Sequence, residues 1–326
     1  MLKLKFKRTR TPFKESFITD SGAKTAQEAF LVAIEYNGFR GIGETPILSK
    51  HSPSLESMTI DLQGKAKLIE EYAFTAPDRF WHFCHHLYPQ NPFLVGALDL
   101  AYWHLYSQIE KKSIATILDL PEPQKVSTFR TLSQGSTEDL LTNIKENPWP
   151  QYRVQVQDEA SLQTLEALRE NTSSKIMVDM NAAWTYAEAK KAILRLEKAK
   201  VEFIEQPLDK GDWENMKKLK DDFSTPFYAK ESFQSEKDVA KCSEAFNGIS
   251  VKLSQCSGLT PAVRIAKEAK GLGLQTMLAC KQESETGVYP AVQIASLFDC
   301  CDVSGPLLLD KPLQKISYSD GNIILA

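Results

Sequence analysis

The sequence has little that would tie the chain to a membrane, a nucleic acid or a disulfide scaffold. Its six cysteines (Cys84, Cys242, Cys256, Cys280, Cys300 and Cys301) form no CxxC pair and are too sparse to staple 326 residues, so reduced thiols are expected. Charge of one sign is also missing. With 39 Lys+Arg against 42 Asp+Glu the formal net charge is −3, which leaves no basic footprint for DNA, RNA or anionic lipid. No apolar run is long enough for a signal peptide or a membrane span, and the expected location is cytoplasmic. A glycine-rich phosphate turn of the dinucleotide-binding kind is absent too. What is present, 42% hydrophobic and 25% charged residues, can bury a large core, enough for one large α/β domain with a smaller companion or for two medium domains.

The first part of the chain reads as strands followed by helices. Leu2, Leu4 and Phe6 alternate with lysines over 2–7, a strand with one wet face, and 29–36 is a second strand ending at the Asn37-Gly38 turn. Helical patterns follow at 56–74, 77–87 and 93–109. After Pro121 the texture changes to short apolar runs alternating with amphipathic helices: 152–156, 176–178, 201–204, 226–229, 249–251 and 274–279. At the end of each run stands Gln155, Asp179, Glu205, Lys230, Lys252 or Cys280, recurring about once per 25 residues, the length of one strand, one helix and two loops. In a closed (β/α) barrel such strand ends converge on one mouth, where barrel enzymes place their chemistry.

Asp179 and Glu205 on neighbouring strands suit a hard cation with oxygen ligands such as Mg²⁺, although single strand-end carboxylates also serve as helix caps. For Lys252, ending a run expected to be buried, a salt bridge and a catalytic role both stay open. His82, Cys84, His85 and His86 in WHFCHHLY place two imidazoles at i,i+4, but with no second ligand pair nearby the aromatic-rich segment reads as a packed helix rather than a zinc site. Cys256 and Cys280 read as small buried filler near the barrel mouth.

The segments VDMNAAW (178–184), VEFIEQPL (201–208), AKES (229–232), GISVKLSQCSGL (248–259), ESETG (283–287) and SGPLLL (304–309), with ALDLAYWHL (97–105) upstream, resemble in order and spacing the muconate-lactonizing branch of the enolase superfamily, nearest to its dipeptide epimerases. The resemblance implies an α/β fold: a modified TIM barrel, (β/α)7β, over 119–305, with an N-terminal α+β capping domain over 1–118 completed by 306–326. It also implies one Mg²⁺ on three strand-end carboxylates and two lysines that exchange a proton on opposite faces of a carbon α to a carboxylate. Asp179 and Glu205 match the first two metal ligands, Asn181 the supporting amide, Lys252 one base and Glu283 the acidic residue of the next motif.

Several positions depart from that pattern. The third metal ligand is replaced by Lys230, and the KxK lysine pair by Arg153-Val154-Gln155, leaving an amide where the second base should stand. The DxD pair is Asp302-Val303-Ser304, and Ile18 stands where the Ala–Glu epimerases carry Arg in a flexible N-terminal loop near 13–20. Asp302, Ser304, Glu283, Arg153 and Ile18 are the expected substrate-facing residues. An ammonium about 4 Å from a divalent ion at an effective dielectric near 20 costs on the order of 8 kcal/mol, so Lys230 is expected to take the metal's place by pairing with Asp179 and Glu205. Gln155 cannot donate a proton at neutral pH, which blocks the two-lysine route.

Three functions fit these residues. The first is a divergent dipeptide-epimerase-like isomerase that acts on or binds a small carboxylate or dipeptide with its Mg²⁺ site and two-lysine chemistry impaired. The second is a catalytically silent paralogue that binds a ligand or assembles with a partner. The third is a metal-independent lyase with Lys252 or Lys230 as sole base. By analogy with relatives a homo-oligomer is expected.

Overall fold

The computed structural model of the protein describes residues 1–19, 22–48, 52–132 and 135–326, and for residues 16–19 the backbone alone. Strands β1 (Lys3–Thr19), β2 (Gly22–Tyr36) and β3 (Phe39–Pro46) form an antiparallel sheet. Asn37 and Gly38, both at positive φ, make the tight β2–β3 turn that this dipeptide favours. The first strand is far longer than its alternating start implies. Its pairing with β2 runs on through Phe17↔Lys24 and Thr19↔Gly22 after a register shift between Pro12 and Phe17. The segment expected as a flexible loop at 13–20 is therefore strand over its described part, held by a ladder to β2 that no local pattern announces.

Four helices follow: α1 (Leu55–Glu70), α2 (Pro77–Leu87), α3 (Pro92–Glu110) and the short α4 (Ile114–Ile117). Helix α3 is buried on nearly every side because β3 lies directly against it. A Cβ at Gly41 would stand 1.9 Å from the Ala101 carbonyl oxygen and one at Gly43 2.0 Å from that of Ala97, so only glycine allows this approach. In α2 Cys84 is fully buried, the His85 ring stacks 4.8 Å from Trp81, and His86 Nδ1 lies 2.7 Å from the His82 carbonyl oxygen. These side chains pack the helix, and among the described residues no group of three His, Cys, Asp or Glu is placed to hold a metal.

From residue 125 onward strands and helices alternate: β4 (Lys125–Ser127), β5 (Arg130–Thr131), α5 (Thr137–Glu146), β6 (Gln151–Gln155), α6 (Glu159–Asn171), β7 (Lys175–Asp179), α7 (Tyr186–Lys198), β8 (Ile204–Glu205), α8 (Trp213–Asp222), β9 (Phe227–Ala229), α9 (Val239–Ala245), β10 (Gly248–Lys252), α10 (Leu259–Gly271), β11 (Gln275–Ala279), α11 (Glu285–Val292) and β12 (Cys300–Asp302). Strands β5 to β12 form one parallel eight-stranded sheet in chain order. Its two ends meet where the Phe129 N–H donates to the Cys301 carbonyl at 2.8 Å and the Val303 N–H to Thr128 Oγ1 at 2.9 Å. The fold is thus a modified TIM barrel with an N-terminal capping sheet and helices. Strands β13 (Ile316–Ser319) and β14 (Asn322–Leu325) form a hairpin whose second strand pairs with β4, and Leu309 bridges to Phe13. Among the described residues no helix is long and apolar enough to cross a membrane.

Candidate active site

Along each barrel strand successive side chains alternate between the helix layer and the lumen. Val154, Val178, Ile204, Ala229, Val251, Leu278 and Cys280 belong to the core beneath the helices. On the other face Phe129, Met177, Phe203, Tyr228, Met277 and Ala279 form a separate apolar plug, with the Phe203 and Tyr228 rings stacked at 4.1 Å. Two residues beyond the plug, on the same face, come Asp179, Glu205, Lys230 and Lys281. Strand register brings Arg153 beside Met177, and Lys252 and Asp302 on either side of Ala279. A charged layer therefore sits on a dry floor. Cys280, the expected strand-end residue of β11, faces the helix layer, where its Sγ accepts from the Gly305 N–H at 3.3 Å. Lys281 takes the lumen position instead.

Lys230 Nζ lies 2.8 and 3.0 Å from the two carboxylate oxygens of Asp179, donates to Asn181 Oδ1, and lies 3.1 Å from Glu231 Oε1. The pairing with Glu205 expected from sequence is not made, and the partners of Lys230 are Asp179, Asn181 and Glu231 instead. That carboxylate is taken by Arg153, whose Nε and Nη2 stand 3.2 and 2.9 Å from Glu205 Oε2, and by the Ser250 hydroxyl. Arg153 Nη2 also donates to Asp179 Oδ2 at 2.5 Å, and Nη1 lies 3.5 Å from Asp302. The guanidinium expected to face substrate is thus committed to three carboxylates. Burial opposes ionisation of Asp179, but Lys230 and Arg153 override it and hold its carboxyl below the usual range. Burial likewise works against the charges on Lys230 and Arg153, and the neighbouring carboxylates reverse that and raise both. Asp302 is pushed up to about 6 by burial, with Arg153 pulling the other way.

The remaining sequence candidates lie around this cluster. Gln155 ends β6 in register with Asp179. Ser304 Oγ lies 3.3 Å from Asp302 Oδ1, and Glu283 is buried, accepting from Ser254 Oγ at 2.8 Å and from the Lys281 N–H. Ile18 pairs through its backbone with Ala23, and its side chain lies outside the described residues. Lys14 and Glu15 of β1 face Arg130, Thr131 and Ser304 across a cleft of about 390 Å³, so the hairpin borders the Ser304 side of the barrel.

As a donor set for a hard dication these residues do not fit. Two of the three positions supply carboxylates and the third an ammonium, and the oxygens that would face an ion already accept from Lys230 and Arg153. Lys252 is buried, with no hydrogen-bond partner for Nζ among the described residues, and burial lowers its pKa. Two features of the barrel mouth escaped sequence reasoning. Arg153 was legible as a residue but not as a cation aimed at Asp179 and Glu205. Lys281 was hidden because in a parallel sheet buried on both faces the two sides of a strand look alike; its spacing from Ala279 was the available signal.

Residues 133–315 match the family described as enolase C-terminal domain-like. The chain is 31% identical to an L-Ala-D/L-amino acid epimerase of Maribacter sp. over 96% of this chain and 92% of that protein. It is 30% identical to one of Flavobacterium johnsoniae, covering 98% and 96%. Among solved structures, the substrate-liganded L-Ala-D/L-Glu epimerase from Bacillus subtilis superposes with a TM-score of 0.92 at 23% identity, covering 99% of this chain and 96% of that one. The dipeptide epimerase from Cytophaga hutchinsonii complexed with Mg and D-Ala-L-Val gives a TM-score of 0.93 at 21% identity, covering 99% and 93%. With its barrel, its strand-end carboxylates and these relatives, the chain belongs to the enolase superfamily, in the enolase C-terminal domain-like family, and is dipeptide-epimerase-like.

Proposed function

We propose that the protein binds a small carboxylate or dipeptide-like ligand at the barrel mouth without a divalent ion, and that the two-base epimerisation associated with its relatives' names is absent. The observation that carries this reading is the pair of cations, Lys230 and Arg153, lodged among Asp179, Glu205 and Asp302. Epimerisation of a carbon α to a carboxylate develops extra negative charge on that group, which a dication stabilises. Here both cations are already paired with protein carboxylates. On the face where a second proton donor is needed, β6 presents the amide of Gln155.

The ligand class is supported by the relatives, several of which are named as dipeptide epimerases. The test is to incubate the protein with a set of dipeptides in D₂O, with Mg²⁺ and with chelator, following thermal stability and α-proton NMR signals. Expected are equal ligand-induced shifts in Tm under both conditions and no accumulation of the epimer. Stabilisation that requires Mg²⁺, or appearance of the epimer, defeats the reading. A second reading, one-base chemistry at Lys252, is favoured by its unpartnered amine. It predicts α-proton exchange with retention of configuration, lost in Lys252→Ala, whereas a silent ligand-binding paralogue predicts no exchange under any metal condition.

A further inference from the structure

The carboxylate cluster leaves two lysines of the mouth unused. Lys252 is only 2% exposed and its Nζ, cut off from solvent, has no hydrogen-bond partner among the described residues. Lys281 is half-buried and rises from the next strand: Lys252 is in register with Ala279, and Lys281 follows Ala279 by two residues on the same lumen face. The charges that act on it are those of Lys230 beyond β9, Lys252 on β10, Arg153 on β6 and the Glu231 carboxylate. Asp302 on β12 flanks Ala279 from the other side, and Glu283 in its own loop accepts its backbone N–H. Two further buried polar atoms of the mouth are unsatisfied, Asn181 Nδ2 and Glu231 Oε2. Buried donors and acceptors are nearly always paired, and an unpaired ammonium is among the costliest exceptions. Several orphans around one mouth are what a missing ligand leaves behind.

We propose that Lys252, at the end of β10, and Lys281, two residues beyond the end of the neighbouring β11, form a clamp for the carboxylate of the ligand, with Glu231 Oε2 free to accept from a donor on the same molecule. This rests on the reading above that a small carboxylate enters the mouth, and it adds a residue outside the motifs that carry the family resemblance. Two amines from neighbouring strands approach a ligand from one side. They can therefore grip an anion but cannot exchange protons with opposite faces of a carbon. Burial and the cations of Lys230, Lys252 and Arg153 push Lys281 down to about 7. In mildly alkaline solution the empty clamp is largely neutral at that position, and an arriving carboxylate restores the proton, so binding takes one up.

Calorimetric titration of the full chain with L-Ala-L-Ala, roughly one pH unit above that value and in two buffers of different ionisation enthalpy, measures this uptake. About one proton per ligand is expected. Lys281→Met should weaken binding on the order of tenfold or more and abolish the uptake. Lys281→Arg should keep affinity within a few-fold while taking up no proton, because a guanidinium stays charged. Unchanged uptake or undiminished affinity in Lys281→Met overturns the clamp. Acetate, titrated against wild-type protein carrying ¹³C-labelled lysine ε-carbons, keeps the test independent of the variants and of the dipeptide. A rise in the Lys281 titration midpoint with acetate but no dipeptide binding leaves the clamp standing and removes the ligand reading. Dipeptide binding without any response at Lys281 does the reverse, and silence from both probes removes both.

Discussion

Arg153 and Lys230 carry between them the two positive charges that a dication would bring to Asp179 and Glu205, and Arg153 also reaches Asp302. The exchange is one of geometry more than of charge. A bare ion accepts electron pairs from several directions, whereas these cations spend their N–H groups on protein oxygens and leave little for a substrate. The arrangement also makes each member hard to remove. Replacing Lys230 by Met leaves the fully buried Asp179 with Arg153 as its sole cation, and breaking a buried pair of this kind typically costs about 3–5 kcal/mol. Urea unfolding of Lys230→Met at neutral pH should show a loss of that size; a loss under about 1 kcal/mol would mean that the ammonium is not structural. The depressed pKa of Asp179 places the pair's contribution above the ordinary carboxylate range, to be lost as pH falls through the folded-state value. The raised pKa of Lys230 extends it upward, to be lost as pH rises through that value.

The elements that present the mouth are locked to the cap at the junction of α3 and α10. Asp99 on α3 accepts from the Thr260 N–H at 2.9 Å and its hydroxyl at 2.7 Å, and Trp103 Nε1 donates to the same hydroxyl at 2.8 Å. The chain turns into α10 at Gly258, with φ 118°, where a Cβ would stand 2.4 Å from Asp99 Oδ2. Burial pushes Asp99 up to about 7, against the two bonds from Thr260. The folded protein therefore keeps a proton that the unfolded chain sheds from about pH 4 upward, and at this position stability falls as pH rises from there to about 7. Urea midpoints measured across that window should decline less steeply for Asp99→Asn than for the wild type. An identical slope in the two proteins would show that Asp99 does not hold the proton. Other elements show what sequence could and could not convey. The runs that became β6 to β11 were readable because a parallel strand buried on both faces is continuously apolar. Strands β5 and β12 were not, being defined by pairing at the barrel seam rather than by an apolar run of their own.

Across the whole molecule, order along the chain was the strongest signal. Motifs spread from Ala97 to Leu309 fall at successive strand ends and at the cap–barrel junction, an order that favours the closed barrel over an open doubly wound sheet. Direction was the weakest. Arg153 and Gln155 share the lumen face of β6, and the register sets Gln155 opposite Asp179 and Arg153 opposite Met177; that the guanidinium nevertheless reaches Asp179 and Glu205 depends on its length and is not written in the motif. If this cation pair stands where a metal would, Mg²⁺ calorimetry will show it. Wild-type protein should give no binding heat and no change in Tm at millimolar Mg²⁺, while Lys230→Asp, which exchanges an ammonium for a carboxylate, should acquire a chelator-reversible response. Stoichiometric Mg²⁺ binding to the wild type that is lost in Asp179→Asn would contradict the account.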